Sequence, residues 1–81
     1  MNFERAAIKG KLIESRENRS RLKNKFKALA ASVRQGINVN LTQIEDMEIP
    51  QLSQMWGDLE TAWAGILSLR SDIDRLEKEL D

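Results

Sequence analysis

One spacing constrains this chain more than any other feature. Leu52, Met55, Leu59, Ala62, Ile66, Leu69, Ile73, Leu76 and Leu80 follow one another at alternating intervals of three and four, and all are apolar. A repeat of that kind holds one narrow stripe of an α-helix against a partner helix along its whole length. Pro50 suits the first turn, where its missing N–H has no acceptor to lose. The spacing predicts a helix over 50–79 and requires a second helix to lie beside it.

The first half of the chain supplies that partner in weaker form. Ile8, Leu12, Ser15, Arg19, Leu22, Phe26, Leu29 and Val33 keep the same alternation, with Ser15 and Arg19 interrupting the apolar series. Asn2 can cap the start, and Glu4 sits favourably in the first turn. Gly36 can supply a left-handed residue that ends the helix. Gly10 falls in the interior and costs roughly 1 kcal/mol against alanine. A helix over 3–35 is predicted.

Residues 36–49 form the linker, too long for a tight turn between helices. Thr42 and Glu45 have the spacing of a capping box, which predicts a short helical turn over 42–47. Ile37, Val39, Leu41, Ile44, Met47 and Ile49 are many apolar residues for a flexible tether. The expectation is a structured linker folded across the end of the helix pair as a lid.

Charge gives the pair a direction. Residues 1–40 carry ten Lys/Arg against three Asp/Glu, and residues 41–81 carry three against ten, so +7 and −7 cancel to zero overall. Folding the halves together antiparallel brings opposite charges alongside. In that arrangement seam residues meet in pairs whose numbers sum to about 88, including Leu12 with Leu76, Phe26 with Ala62 and Val33 with Met55. Large Phe26 opposite small Ala62 is a volume match of the kind close packing needs. The same alignment sets Lys9 by Glu77, Lys11 by Glu79 and, unfavourably, Arg16 by Arg70. Arg19 lies on the seam itself; its stem can cover apolar neighbours while the guanidinium reaches the edge, with Asp72 the nearest acid. The fold class is all-α, a single domain consisting of an antiparallel two-helix coiled-coil hairpin.

The hairpin leaves a surplus. Trp56 and Trp63 stand seven residues apart on one flank of the second seam, Leu67 continues their direction, and Ala64 widens the apolar arc. One partner helix cannot cover both the seam and this flank. A contiguous exposed apolar patch usually marks an interface, and tryptophan is a preferred anchor there. Trp56, Trp63 and Leu67 are therefore the candidate interface. The expected partner is a second copy, giving a four-helix bundle or other homo-oligomer, with an unidentified protein as a further option.

The run "SRENRSRLKNKFK" suggests a second function. Arg16, Arg21, Lys23 and Lys27 are dense enough to attract phosphate, which makes a small nucleic-acid-binding protein the alternative reading. Around the heptad, however, the cations divide. Lys9, Arg16 and Lys23 flank one side of the seam, Lys11 and Lys25 the other, and Arg21 and Lys27 point outward. No helix-turn-helix spacing, zinc finger or aromatic RNA-stacking motif accompanies them.

Chemistry finds little to use. Cysteine, histidine and tyrosine are absent, which removes disulfides, thiolate nucleophiles, imidazole bases and the usual zinc ligands. There is no glycine-rich phosphate loop. Asp72, Asp74, Glu77 and Glu79 crowd one helix end, where a solvated acidic end is a simpler reading than a divalent-ion site. No catalytic, cofactor-binding or metal-binding residue is expected, and the chain is not expected to be an enzyme. No run of about 18 apolar residues exists to span a membrane, and the N-terminal stretch lacks the apolar core of a signal peptide. A cytoplasmic location is the expectation.

The stretches "VRQGIN", "LTQIEDMEIP", "AWAGI" and "DIDRLEKEL" resemble the small helical-hairpin proteins of Mu-like phages and prophages. The resemblance extends from Ala7 through Leu80. Its most specific parts are Arg34-Gln35-Gly36 closing the first helix, Glu45-Asp46 and Ile49-Pro50 leading into the second, and Ala62-Trp63. It implies a phage or prophage accessory protein in a bacterial cytoplasm, and it carries no site residue across.

Overall fold

The computed structural model describes residues 2–81, with side chains from Phe3 onward, so the expected Asn2 cap lies outside the described side chains. Helix α1 spans Asn2–Gly36 and helix α2 spans Ile49–Leu80, each running one residue beyond both predicted ends. A single 3-10 turn, Ile44–Asp46, interrupts the linker. The two helices pack on each other as a rod of 64 × 15 × 15 Å. Its radius of gyration, 18.3 Å, exceeds the roughly 12 Å of a compact domain of this length. Among the described residues two helices make the whole thickness, and no third layer covers either flank.

The pairing is antiparallel, with the predicted alignment. Leu12 packs with Ile73 and Leu76 in one buried cluster, joined by Ile8 and Leu80. Leu22 lies against Gly65, and Leu52 lies against Gly36. These contacts hold the sum of partner numbers at about 88 along the rod. Every seam position on both helices is buried or half-buried, Arg19 and Ser15 included. Ile73 is the deepest, 2% exposed. The 3.5-residue repeat thus fixes which face of each helix turns inward, and burying that stripe is the main force holding the rod together.

Gly36 has a different purpose from the expected one. No described glycine adopts a positive φ, so Gly36 ends α1 in helical geometry. Its use is close approach: a Cβ there would collide with Leu52, whose Cγ and Cδ1 would stand at 3.2 and 3.3 Å. The absent side chain lets Leu52 settle on the end of α1.

The linker is structured but does not form the expected lid. It turns on Asn38, whose carbonyl accepts from the backbone N–H groups of Leu41 and Thr42 at 3.1 Å each. The Asn38 side chain accepts from the Asn40 N–H at 3.0 Å. Closing this local turn satisfies the backbone but points the side chains away from the helices. Val39, Leu41 and Ile44 are 63%, 69% and 70% exposed; among the linker's six apolar residues, only Met47 is half-buried. The helical turn forms at the expected place, yet Gln43 takes its N-cap position and no side chain caps it. Thr42 and Glu45 therefore do not form a capping box.

The charged flanks also differ from expectation. Arg16 pairs with Glu77 at 3.1 Å, in place of an apposition with Arg70, because its long side chain reaches along the groove to the nearer carboxylate. Lys9 consequently does not hold Glu77. Among the described residues this is the single ion pair joining α1 to α2; the others, Glu17–Arg21 at 4.0 Å and Asp72–Arg75 at 3.8 Å, lie within one helix. Asp72 turns to Arg75 and leaves Arg19 without it.

Candidate functional site

The surplus flank of α2 remains open in the folded hairpin. Trp56 is 56% exposed, Trp63 55% and Leu67 40%. Leu59 and Ala62, on the adjoining seam, are already buried against α1, so the indoles have no place left in the core. α2 folds this way because Trp56 and Trp63 stand one heptad apart, immediately beside a seam filled by its own residues.

The Trp56 ring is held in place. Its Nε1–H donates to Glu60 Oε1 at 2.7 Å, one helical turn further on. That bond satisfies the polar edge of the indole and lays the ring along the helix, with its apolar face free. A groove of about 520 Å³ runs beside it, lined by Phe26, Trp56, Leu59, Glu60, Trp63 and Ala64. Phe26 comes from α1, so the groove bridges both helices.

What lies across Phe26 is not visible along either heptad alone. A second groove shares Phe26 and continues over Lys27, Ala30, Ala31 and Arg34 to Asn38. Lys27 and Arg34, seven residues apart, line this second groove as a cationic ridge on α1, and the ridge meets the aromatic groove at Phe26; Lys23 lies one turn earlier on the same helix. One face of the linker-proximal half therefore carries aromatic rings on α2 and cations on α1. The signal was present in sequence, because Lys23 flanks the seam on the side that meets the tryptophan flank in an antiparallel pair, and the outward-pointing Lys27 and Arg34 border that side. Seeing it requires the positions to be read across both helices together.

The four cations considered for nucleic acid are dispersed. Arg16 is engaged by Glu77. Arg21 lies on another face of α1, near Glu17. Of the four, only Lys27 lines either groove, the one that shares Phe26 with the aromatic groove. Among the described residues no three acidic side chains converge as a metal-binding cluster. No helix there is long and apolar enough to cross a membrane.

Comparison of the chain with protein-family models, with curated proteins and with solved structures finds no match in any of the three.

Proposed function

We propose that this chain is a non-enzymatic assembly module that works by associating with a second copy of itself through the Phe26–Trp56–Trp63 face, giving a four-helix bundle. The observation that carries this reading is the pair of indoles left more than half exposed beside a filled seam. Two large rings and a leucine in water make an apolar patch that a solitary helix pair has no means to cover. A second hairpin laid on this face converts an open two-layer rod into a closed bundle with a core. The fixed orientation of Trp56 lowers the entropy lost on association, because the ring is already positioned. On the resemblance to Mu-like prophage proteins, the same proposal extends to an accessory role in a phage and to a bacterial cytoplasm.

Sedimentation equilibrium over a concentration range tests it. The expected result is a dimer that Trp63→Ala shifts toward monomer while the circular dichroism of the hairpin is retained. A wild-type chain that stays monomeric at high concentration refutes the proposal. Tight, steeply salt-dependent retardation of nucleic acid by a monomer would put the alternative in its place.

A further inference from the structure

The distribution of side chains on the open face selects how two copies meet. This inference rests on the self-association proposed above and adds to it an orientation and a set of partners. Two hairpins stacked face to face can obey two-fold symmetry in only two ways. With the axis along the rod, both linkers lie at the same end and α1 of each copy covers α2 of the other. With the axis across the rod, the linkers lie at opposite ends, α1 covers α1 and α2 covers α2.

We infer that the two copies pair with their linkers at the same end, so that the cationic ridge of α1 lies over the aromatic, acid-bearing flank of α2 in the second copy. Three features of the molecule carry this.

The first is charge. α1 carries ten basic and three acidic residues, whereas Ile49–Leu80 carries three basic and six acidic. Their helix charges are thus +7 and −3. Among the described residues only Arg16–Glu77 crosses between the helices, so most of α1's charge is not met by α2. Placing α1 on α1 sets Lys23, Lys27 and Arg34 against a second strongly basic helix, while placing α1 on α2 gives them a negative helix. Like charges across an interface are a strong selector of orientation.

The second is height. A rotation about the rod axis leaves each residue at its own level, so the alignment that holds α1 to α2 within one copy also relates α1 to α2 of the other. Lys27 then meets Glu60 of the second copy, Ala30 meets Trp56, and Lys23 reaches Trp63, where an ammonium over an indole face is favourable. Small Ala30 opposite large Trp56 repeats the volume match that the alignment gives Ala62 with Phe26.

The third is where the apolar surface lies. Ile49, Trp56 and Trp63 fall in the linker-proximal half, with Leu67 just past the middle of α2 and Ile37 beyond the end of α1, whereas the equivalent flank in the other half carries Lys9, Arg16, Arg70 and Glu77, with exposed Ile13 beside them. Same-end stacking lays apolar half on apolar half over the full length. Opposite-end stacking either buries tryptophan against charge or slides until only half of each rod overlaps. Same-end stacking also brings together the two exposed linkers, whose Val39, Leu41 and Ile44 find no cover within one hairpin.

The chain has no cysteine, so single spin labels can be placed at will. Asn40→Cys, at the tip of the linker, and Lys78→Cys, on the outer surface near the other end, are both exposed sites. In the dimer, pulsed electron resonance is expected to give label separations within roughly 30 Å for each, about twice the 15 Å thickness of one hairpin. Opposite-end pairing in full overlap instead separates both label pairs by about 45 Å or more, approaching the 64 Å rod length. A half-slid overlap leaves the Asn40 pair at about 30 Å but drives the Lys78 pair beyond the rod length, so the Lys78 pair decides. Lys27→Glu supplies an independent sign. Same-end pairing predicts a dimer weakened about tenfold, because Glu60 then faces a like charge; opposite-end pairing predicts a tighter one. Long separations in an intact dimer overturn the orientation and leave the assembly proposal standing. Failure of the unlabelled wild-type chain to dimerise overturns both.

Discussion

The two ends of this rod share one heptad repeat and use it differently. At the end away from the linker, Leu12, Ile73 and Leu76 close a buried cluster with Ile8 and Leu80 packed on it, and Arg16–Glu77 bridges the flank. At the linker end Leu59 and Ala62 are equally buried, but the flank beside them is an open groove lined by Phe26, Trp56 and Trp63. The seams are alike; the flanking residues are not. Where those positions are Lys9, Arg16, Arg70 and Glu77, the hairpin is finished as a pair. Where they are Ala30, Trp56 and Trp63, it is not. The stability of one chain and its capacity to associate therefore reside in different halves of the same structure.

Ile73→Ala is the most severe way to probe that division. It removes the deepest side chain from the cluster of the closed half, and a cavity of this kind costs roughly 2–5 kcal/mol. Small domains have little stability in reserve, so thermal melting should show a largely unfolded chain or a sharply lowered midpoint. A melt close to wild type would mean that the closed half is not the stabilising one.

Trp63→Ala strikes the other half and should do the opposite. As a half-exposed ring it contributes little to the fold of one hairpin, while an interface anchor of this type is worth about 2 kcal/mol or more of association. The expected outcome is a dissociation constant raised about thirtyfold or more, with the melt of the monomer nearly unchanged. If melting of the isolated hairpin fell as far as with Ile73→Ala, the two ends would not be separable.

Much of this contrast is legible in the residues. The period alone places Leu12, Leu59, Ile73 and Leu76 inward, because nothing but a helix satisfies alternating intervals of three and four over so many turns. The excess represented by Trp56 and Trp63 follows from the same count, since a two-helix pair has only one seam. The linker departs from the expected lid because composition speaks to cost and not to opportunity. Val39, Leu41 and Ile44 are apolar enough to bury, but the turn at Asn38 uses the backbone hydrogen bonds locally and aims them outward. Gly36 departs from expectation for a related reason: a glycine at a helix end suggests left-handed backbone, whereas here the demand comes from Leu52, sixteen positions further along the chain. The partner of Arg16 depends on side-chain reach, which a heptad wheel does not contain.

The glycines offer a gentler comparison. Gly10, in the closed half, has nothing within 4 Å of where a Cβ would stand. Gly10→Ala should therefore gain most of the helix-propensity difference, about 0.5–1 kcal/mol, seen as a raised melting midpoint. At the linker end Gly36→Ala meets Leu52. Displacing that side chain costs about 1–3 kcal/mol, which outweighs the propensity gain and leaves a net loss of about 1 kcal/mol. The same substitution thus changes sign between the two ends. Equal stabilisation at both would show that Leu52 can leave Gly36 freely.

The smallest effect belongs to Arg16 and Glu77. Both side chains are about half exposed, 50% and 49%, so water and salt screen most of their attraction. A double-mutant cycle with Arg16→Ala and Glu77→Ala should give a coupling of roughly 0.2–1 kcal/mol that shrinks as salt is raised. Its value lies in alignment more than in stability. As the one ion pair between the helices among the described residues, it opposes a slip of α1 along α2, and a one-heptad slip would carry Phe26 out from beside Trp56 and Trp63. Reversing both charges, Arg16→Glu with Glu77→Arg, should therefore preserve the fold and the association together. Reversing Arg16 alone leaves two carboxylates facing each other and should loosen the closed half slightly, without exposing Ile73. If the single reversal instead abolished association at the far end of the rod, the halves would be coupled through their alignment, and the separation drawn between them would fail there.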